Sequence, residues 1–200
     1  LYPHLIMQYN ISPETKIGQM QNFSITPNAI LDNNVHTMKV IKENANKGYS
    51  VAANGTCYSR EACGFLPELM QKMYDERKEY KKKMIECQKE RESLIKDGCL
   101  GGAQFKEIEN NISKYSNFQM VRKIQLNSAY GAIGNQYFRY YATEIAEAIT
   151  TSGQLSIRWI ANKLNTFLNG ALGTGDYDYV VASDTDSVYL RLGKLVDKVC

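Results

Sequence analysis

From Pro67 to about Lys96 apolar side chains recur at intervals of three, four and seven residues, at Met70, Met73, Tyr80, Met84 and Cys87. That spacing places one apolar stripe along an α-helix. Pro67 followed by Glu68 suits the first helical turn, where a missing N–H is harmless and an acid meets the positive dipole end. Gly98, Gly101 and Gly102 end the stretch, and a second helix is predicted from about Ile108 to Tyr130. The short gap makes the two helices antiparallel neighbours. A third helix is predicted over Thr143 to Leu168, with Ile145, Ile149, Ser152, Leu155, Trp159, Leu164 and Phe167 on its buried side. Asn169-Gly170 is its expected left-handed cap.

Elsewhere the pattern is β-like or irregular. Residues 179–182 and 188–192 are β-type and flank Ser183-Asp184-Thr185-Asp186-Ser187, a strand–turn–strand with two acids at its tip. Between 49 and 66, Tyr49, Val51, Cys57, Tyr58, Phe65 and Leu66 alternate with glycines at 48, 55 and 64, which predicts short strands joined by turns. Residues 5–11 form a short helix or strand exit after Pro3, and the polar stretch 12–35 is mostly loop.

At 200 residues the chain is long enough for one or two compact domains. Its 44% hydrophobic and 22% charged content is that of a globular protein, which excludes a disordered tail, a collagen-like repeat and a histone-like arm. No apolar run nears the roughly 18 residues of a membrane span. The cysteines (57, 63, 87, 99, 200) are odd in number and form no CxxC pair, so neither a zinc site nor a disulfide framework is expected, and a reducing compartment is. The chain starts Leu1-Tyr2-Pro3 without Met and stops at Val199-Cys200 without a cap signal, so an internal segment of a longer protein is expected.

Three constellations carry chemistry. Asp184-Thr185-Asp186-Ser187 sets two carboxylates beside apolar strands, where a divalent cation would compensate them. An Asp-rich turn bonding its own amides is the alternative. Lys123, Asn127 and Tyr130 lie within about 60° on one helical face. That face could hold a phosphate, orient a sugar and stack a base, or be a solvated surface with one core tyrosine. Between Gln71 and Lys96, nine Lys/Arg face six Asp/Glu, a surplus of three that equals the net charge of +3 for the whole chain. Arg77 and Lys81 share a face there, suited to polyphosphate or a nucleic-acid backbone, or simply to solvent.

Together and in this order, the motifs resemble the polymerase core of the family B DNA polymerases. Leu1-Tyr2-Pro3 is similar to the tail of the first motif, D-x-x-S-L-Y-P. Lys123 to Gly131 is similar to K-x-x-x-N-S-x-Y-G, and Tyr179 to Tyr189 to the D-T-D-S hairpin. Asn127 to Asn135, then Phe138-Arg139-Tyr140-Tyr141, then Ala148 to Gln154, with Tyr74 to Glu79 and Lys81, resemble the T-even-type phage replicative polymerases most. The likeness covers nearly the whole chain.

The resemblance implies an α+β fold: an antiparallel palm sheet with packed helices, plus a long antiparallel helix pair inserted as fingers. It implies palm over 1–59, fingers over 60–134 and palm again over 135–200. The implied activity is template-directed deoxynucleotidyl transfer to a primer 3′ end in DNA replication, using two Mg²⁺ ions about 4 Å apart. Asp186 matches an essential metal ligand, and Asp184 a neighbouring acid near the primer end. Leu1 and Tyr2 match backbone amides that cradle the triphosphate, and the Tyr2 ring matches the residue that excludes a 2′-hydroxyl. Arg77, Lys81, Lys123 and Asn127 match side chains that grip the triphosphate. Lys123 is also the implied proton donor to pyrophosphate. Tyr130 and Gly131 match the surface under the nascent base pair.

The implied partners are primer–template DNA, a dNTP and replisome proteins such as a sliding clamp, bound through regions outside this chain, with no membrane. The implied setting is the cytoplasm of a phage-infected bacterium. The family's first catalytic Asp would stand four positions before Leu1, so these 200 residues alone are expected to be inactive. Ser183 stands where Gly is usual, and His4 where Ser is frequent. A polymerase of another class and a non-catalytic nucleic-acid-binding helical module are the rival readings.

Overall fold

In the computed structural model, residues 1–20, 25–98 and 101–199 are described, so Cys99 and Cys200 lie outside the described residues. The chain opens with helix α1 (Tyr2–Tyr9), which has Pro3 in its first turn and ends on Asn10 at φ 56°. This helix starts three residues earlier than the expected exit at 5–11.

Residues 21–24 of the stretch expected to be mostly loop lie outside the described residues, and the rest holds regular elements among its loops. It contains strand β1 (Lys16–Gln19), helix α2 (Pro27–Leu31) and the start of helix α3 (Val35–Asn46). Local caps explain both helices. Thr26 Oγ1 accepts from the Ala29 N–H with Pro27 at the first helical position, and Asn34 Oδ1 accepts from the His36 and Thr37 N–H groups. Strands β2 (Tyr49–Val51) and β3 (Thr56–Ser59) follow, as the glycine-punctuated pattern predicts. The sheet order is β1-β3-β2, antiparallel throughout, with an irregularity between Lys16 and Gly18.

Helices α4 (Phe65–Lys96) and α5 (Ala103–Ile133) form the expected antiparallel pair. Glu76 bonds Arg122, and the Tyr80 ring meets Tyr115 and Phe118, so residue numbers rise on one helix as they fall on the other. Only Leu66, Pro67 and Met70 of α4 are buried, all in its first two turns. Met73 is half-buried and still packs against the core, while Tyr80, Met84 and Cys87 are half-buried farther out along the pair. The pair, about 48 Å long at 1.5 Å per residue, therefore stands on the core by one end.

Helix α6 (Thr143–Leu172) runs past the expected stop. Its left-handed cap is Gly173 at φ 68°, not Asn169-Gly170. The Asn169 side chain is used otherwise: Oδ1 accepts from the Tyr177 N–H (3.0 Å) and the Thr174 hydroxyl (2.7 Å), while Nδ2 donates to the Tyr177 carbonyl (2.8 Å). Ile145, Ile149 and Ser152 are buried as predicted, but Trp159 is 51% exposed and Phe167 70%. Beyond Gly153 only Leu168 of α6 is buried, and the Trp159 ring carries the Lys163 ammonium 6.0 Å above it in place of apolar packing.

Strands β4 (Val180–Asp184) and β5 (Ser187–Leu190) and helix α7 (Gly193–Val199) complete the chain. The expected single sheet is two separate antiparallel sheets, β1-β3-β2 and β4-β5, so the α+β class holds with a smaller sheet content than one continuous platform. The core gathers Ile6 of α1, Tyr58 of β3, Met70 of α4, Ile133 of α5 and Ile145 and Ile149 of α6. Helix α1 is thus the hub against which α4, α5 and α6 all pack. No described helix is long and apolar enough to cross a membrane.

Candidate functional site

The hub brings together three segments distant in sequence. The Leu1 amino nitrogen lies 3.6 Å from Asp186 Oδ2 on the β4–β5 hairpin. The next residue, Tyr2, sets its ring 4.5 Å from that of Tyr130 on α5, tilted by 32°. Such ring pairs add about 0.5–1.5 kcal/mol beyond their buried area. Burial first, and the neighbouring Tyr2 phenol second, push the Tyr130 hydroxyl above its ordinary value. Gly153 of α6 faces the start of α1: a Cβ there would make ordinary van der Waals contact with Leu1 Cδ2 and Tyr2 Cε1, each at 3.5 Å. On the far side of α1 the His4 ring meets Tyr74 of α4 edge-on at 4.8 Å.

The acidic hairpin is tight. Asp184 is the last residue of β4 and pairs with Ser187, so the turn itself is Thr185-Asp186. The left-handed φ of 42° falls on Thr185, which is a strained conformation for a β-branched residue. Ser183 pairs with Val188 in the ladder and is not among the positive-φ residues. The backbone freedom that glycine would supply is therefore not required at position 183. Both carboxylates face solvent. Asp184 Oδ1 accepts from the Thr185 hydroxyl at 3.0 Å, and Asp186 lies beside the Leu1 backbone nitrogen.

Two asparagines one turn apart on α6 aim this hairpin. Asn169 holds the loop before it, and Asn165 Oδ1 accepts from the Tyr179 N–H at 2.9 Å while its Nδ2 donates to Asp178 at 2.8 Å. From sequence Asn169 reads only as half of a helix cap and Asn165 is not singled out, although their i,i+4 spacing puts both on one helical face.

The cationic residues lie farther out on the helix pair. The Glu76–Arg122 bond (2.7 Å) puts their neighbours Arg77 and Lys123 at one level. Inward from Lys123 along α5 come Asn127, Tyr130 and Gly131. Outward from Arg77 along α4 comes Lys81, one turn on. Lys81, Lys123, Asn127 and Gly131 are exposed. Among the described residues, Arg77, Lys81 and Lys123 enter no salt bridge, and Arg77 Nε is buried without a hydrogen-bond partner. The structure thus joins Leu1 with Asp186 and Tyr2 with Tyr130. It does not bring Arg77, Lys81, Lys123, Asn127 or Gly131 into contact with the acidic hairpin.

The profile of DNA polymerase family B matches residues 1–99 and 103–198. The DNA-directed DNA polymerase of Enterobacteria phage T4 is 36% identical over 234 residues, covering 100% of this chain and 25% of that protein. That of Escherichia phage RB69 is 33% identical over 233 residues, with the same 100% and 25% coverage. DNA polymerase 1 of Pyrococcus abyssi is 30% identical over 144 residues, covering 72% of this chain and 16% of its own length. The chain spans about a quarter of the length of the two phage relatives.

Proposed function

The chain belongs to DNA polymerase family B, and on that premise we propose that it forms the nucleotidyl-transfer part of a DNA-directed DNA polymerase. The palm takes residues 1–59 and 135–200, and the fingers take 60–134. The convergence of residues 1–2, 130 and 186 at one place carries this proposal. A helical module that merely bound nucleic acid would have no reason to hold an aromatic shelf and an acidic turn against the same two residues.

The roles follow from the chemistry of each group. The Tyr2 ring, backed by Tyr130, is a flat wall against which a deoxyribose packs and a 2′-hydroxyl clashes. Tyr130 and Gly131 floor the nascent base pair; a Cβ on Gly131 would meet nothing within 4 Å, so that floor is open. Arg77, Lys81, Lys123 and Asn127 bind the triphosphate, and cations free of salt bridges can do so without first breaking one. Lys123 gives a proton to the departing pyrophosphate. Phosphoryl transfer needs positioning and charge neutralisation above all, which is what the extended pair supplies when it closes on the hairpin.

Asp184 and Asp186 fit a divalent cation. No group of three or more His, Cys, Asp or Glu is gathered among the described residues, but magnesium takes one or two carboxylates and completes its shell with water and substrate phosphates. The Asp186 side chain is 63% exposed, leaving oxygens available. Two bound Mg²⁺ ions would neutralise the triphosphate and activate the primer 3′-hydroxyl. The partners are primer–template DNA and a dNTP, with replisome proteins such as a sliding clamp bound elsewhere. The protein is phage-encoded and acts in the infected bacterial cytoplasm.

Primer extension by the polymerase carrying this chain tests the proposal. Asp186→Asn is expected to slow it on the order of 10²–10³-fold. Undiminished extension by that variant, or none by the parent, would overturn it.

A further inference from the structure

The N-terminus of α4 is satisfied from a segment some fifty residues away. A helix start leaves up to four N–H groups without intrahelical partners. Here the Gly64 N–H donates to Asn10 Oδ1 (2.9 Å), the Phe65 N–H to Glu14 Oε1 (2.6 Å) and the Leu66 N–H to Ser12 Oγ (3.4 Å). Pro67 has no N–H, and that of Glu68 returns to the Gly64 carbonyl at 3.1 Å. Every donor of the first turn is accounted for.

The acceptors are themselves tied together. The Ser12 hydroxyl donates to Glu14 Oε2 (2.6 Å), Asn10 Nδ2 donates to the Ser59 and Ala62 carbonyls (2.6 and 2.8 Å), and the Thr15 hydroxyl closes on the Asn10 carbonyl (2.6 Å). Burial pushes the Glu14 carboxyl up, but the bonds from the Ser12 hydroxyl and the Phe65 N–H outweigh it, and its pKa lies below the usual value. It stays charged at the positive end of the helix dipole. The Phe65 ring also leans on Tyr140 at 5.2 Å, on the segment that follows α5. This collar therefore sits where the helix pair both leaves the core and returns to it.

Arg77 lies twelve residues beyond Phe65, about 18 Å along the axis, and Lys81 about 24 Å. A tilt of about 5° at the collar moves these side chains by roughly 1.5–2 Å, enough to carry a charge-assisted hydrogen bond to the triphosphate out of its distance range. We infer that Glu14, with Ser12 and Asn10, is a positioning residue for nucleotide binding: it sets the direction in which α4 leaves the core, and so where Arg77 and Lys81 meet the triphosphate. This rests on the polymerase reading above.

Single-turnover primer extension by the polymerase carrying this chain separates the possibilities. Glu14→Ala is expected to raise the apparent dNTP dissociation constant about tenfold while the maximal rate and primer–template affinity hold within about twofold. Glu14→Gln keeps an oxygen for the Phe65 N–H and is expected to restore dNTP affinity to within about threefold of the parent. Unchanged dNTP affinity in Glu14→Ala overturns the inference. So does a parallel loss of dNTP affinity, rate and primer–template binding, or failure of that variant to fold, because each marks a merely structural cap. If the parent extends no primer, the polymerase reading itself fails.

Discussion

Replacing Gly64 by alanine probes the glycine where an added Cβ would meet its neighbours most closely. The added Cβ would stand 2.6 Å from Ser12 Cβ and 3.0 Å from Thr15 Cγ2. Neither is the free end of a flexible side chain: Ser12 is 0% exposed and Thr15 6%, and both hydroxyls are committed to hydrogen bonds. Relief requires the collar to move away from the start of α4. Overpacking of this kind costs about 1–3 kcal/mol. Weakening the Leu66–Ser12 and Ser12–Glu14 bonds adds about 1 kcal/mol, for a total of about 2–4 kcal/mol.

At this chain length that lowers Tm by about 5–15 °C, readable by circular dichroism alongside urea midpoints. Gly170→Ala is the internal contrast. Gly170 lies within α6, is exposed, and its Cβ would meet nothing within 4 Å. Alanine there should stabilise by about 0.5–1 kcal/mol through helix propensity alone. The same substitution thus has opposite signs at the two sites. A Gly64→Ala protein within about 0.5 kcal/mol of its parent would refute the close-contact reasoning, as would an equal loss at Gly170.

Three further outcomes are expected. In the polymerase carrying this chain, Tyr2→Ala should increase ribonucleotide incorporation, measured as alkali-sensitive product; unchanged sugar selection would remove the steric role of Tyr2. Arg77→Ala and Lys123→Ala should each weaken dNTP use by roughly tenfold to a hundredfold, the equivalent of losing a charged hydrogen bond of about 1.5–3 kcal/mol, and normal kinetics in both would favour a simple nucleic-acid-binding role. Glu14 has a folded-state pKa below its unfolded one, so its stabilising contribution is fully present above the unfolded value and fades as pH falls through the folded one. Urea midpoints should therefore decline on acidification below about pH 4.5, less steeply in Glu14→Gln, and identical slopes would count against the collar's charge.

Much of the architecture was legible in the chain because it is set by local pattern. The α4–α5 pair announces itself through Met70, Met73, Tyr80, Met84 and Cys87 and the glycines at 98, 101 and 102, since a helical stripe and its terminators are properties of neighbours in sequence. The acidic hairpin is equally local, a two-residue turn between two β-type runs. The motifs around Leu1, Lys123 and Asp184 pointed to the family before any coordinates did. Helices α2 and α3 escaped because they are short and polar, and their Thr26 and Asn34 caps lie in a stretch whose composition resembles a loop. Trp159 and Phe167 misled because a periodicity records which face is apolar, not whether anything covers it.

The sequence alone thus determined the three long helices, the hairpin, the α+β class and the residue types of the site. Tertiary structure alone decided that Tyr2 stacks on Tyr130, that Leu1 lies beside Asp186, that α6 ends at Gly173 while Asn165 and Asn169 hold the hairpin, and that Asn10, Ser12 and Glu14 cap a helix starting fifty residues later. The physical reason is range. Periodicity, capping and turn chemistry act over a few residues, whereas a close approach such as that at Gly64 exists only after loops have closed and the core around Ile6 has brought distant backbones into contact.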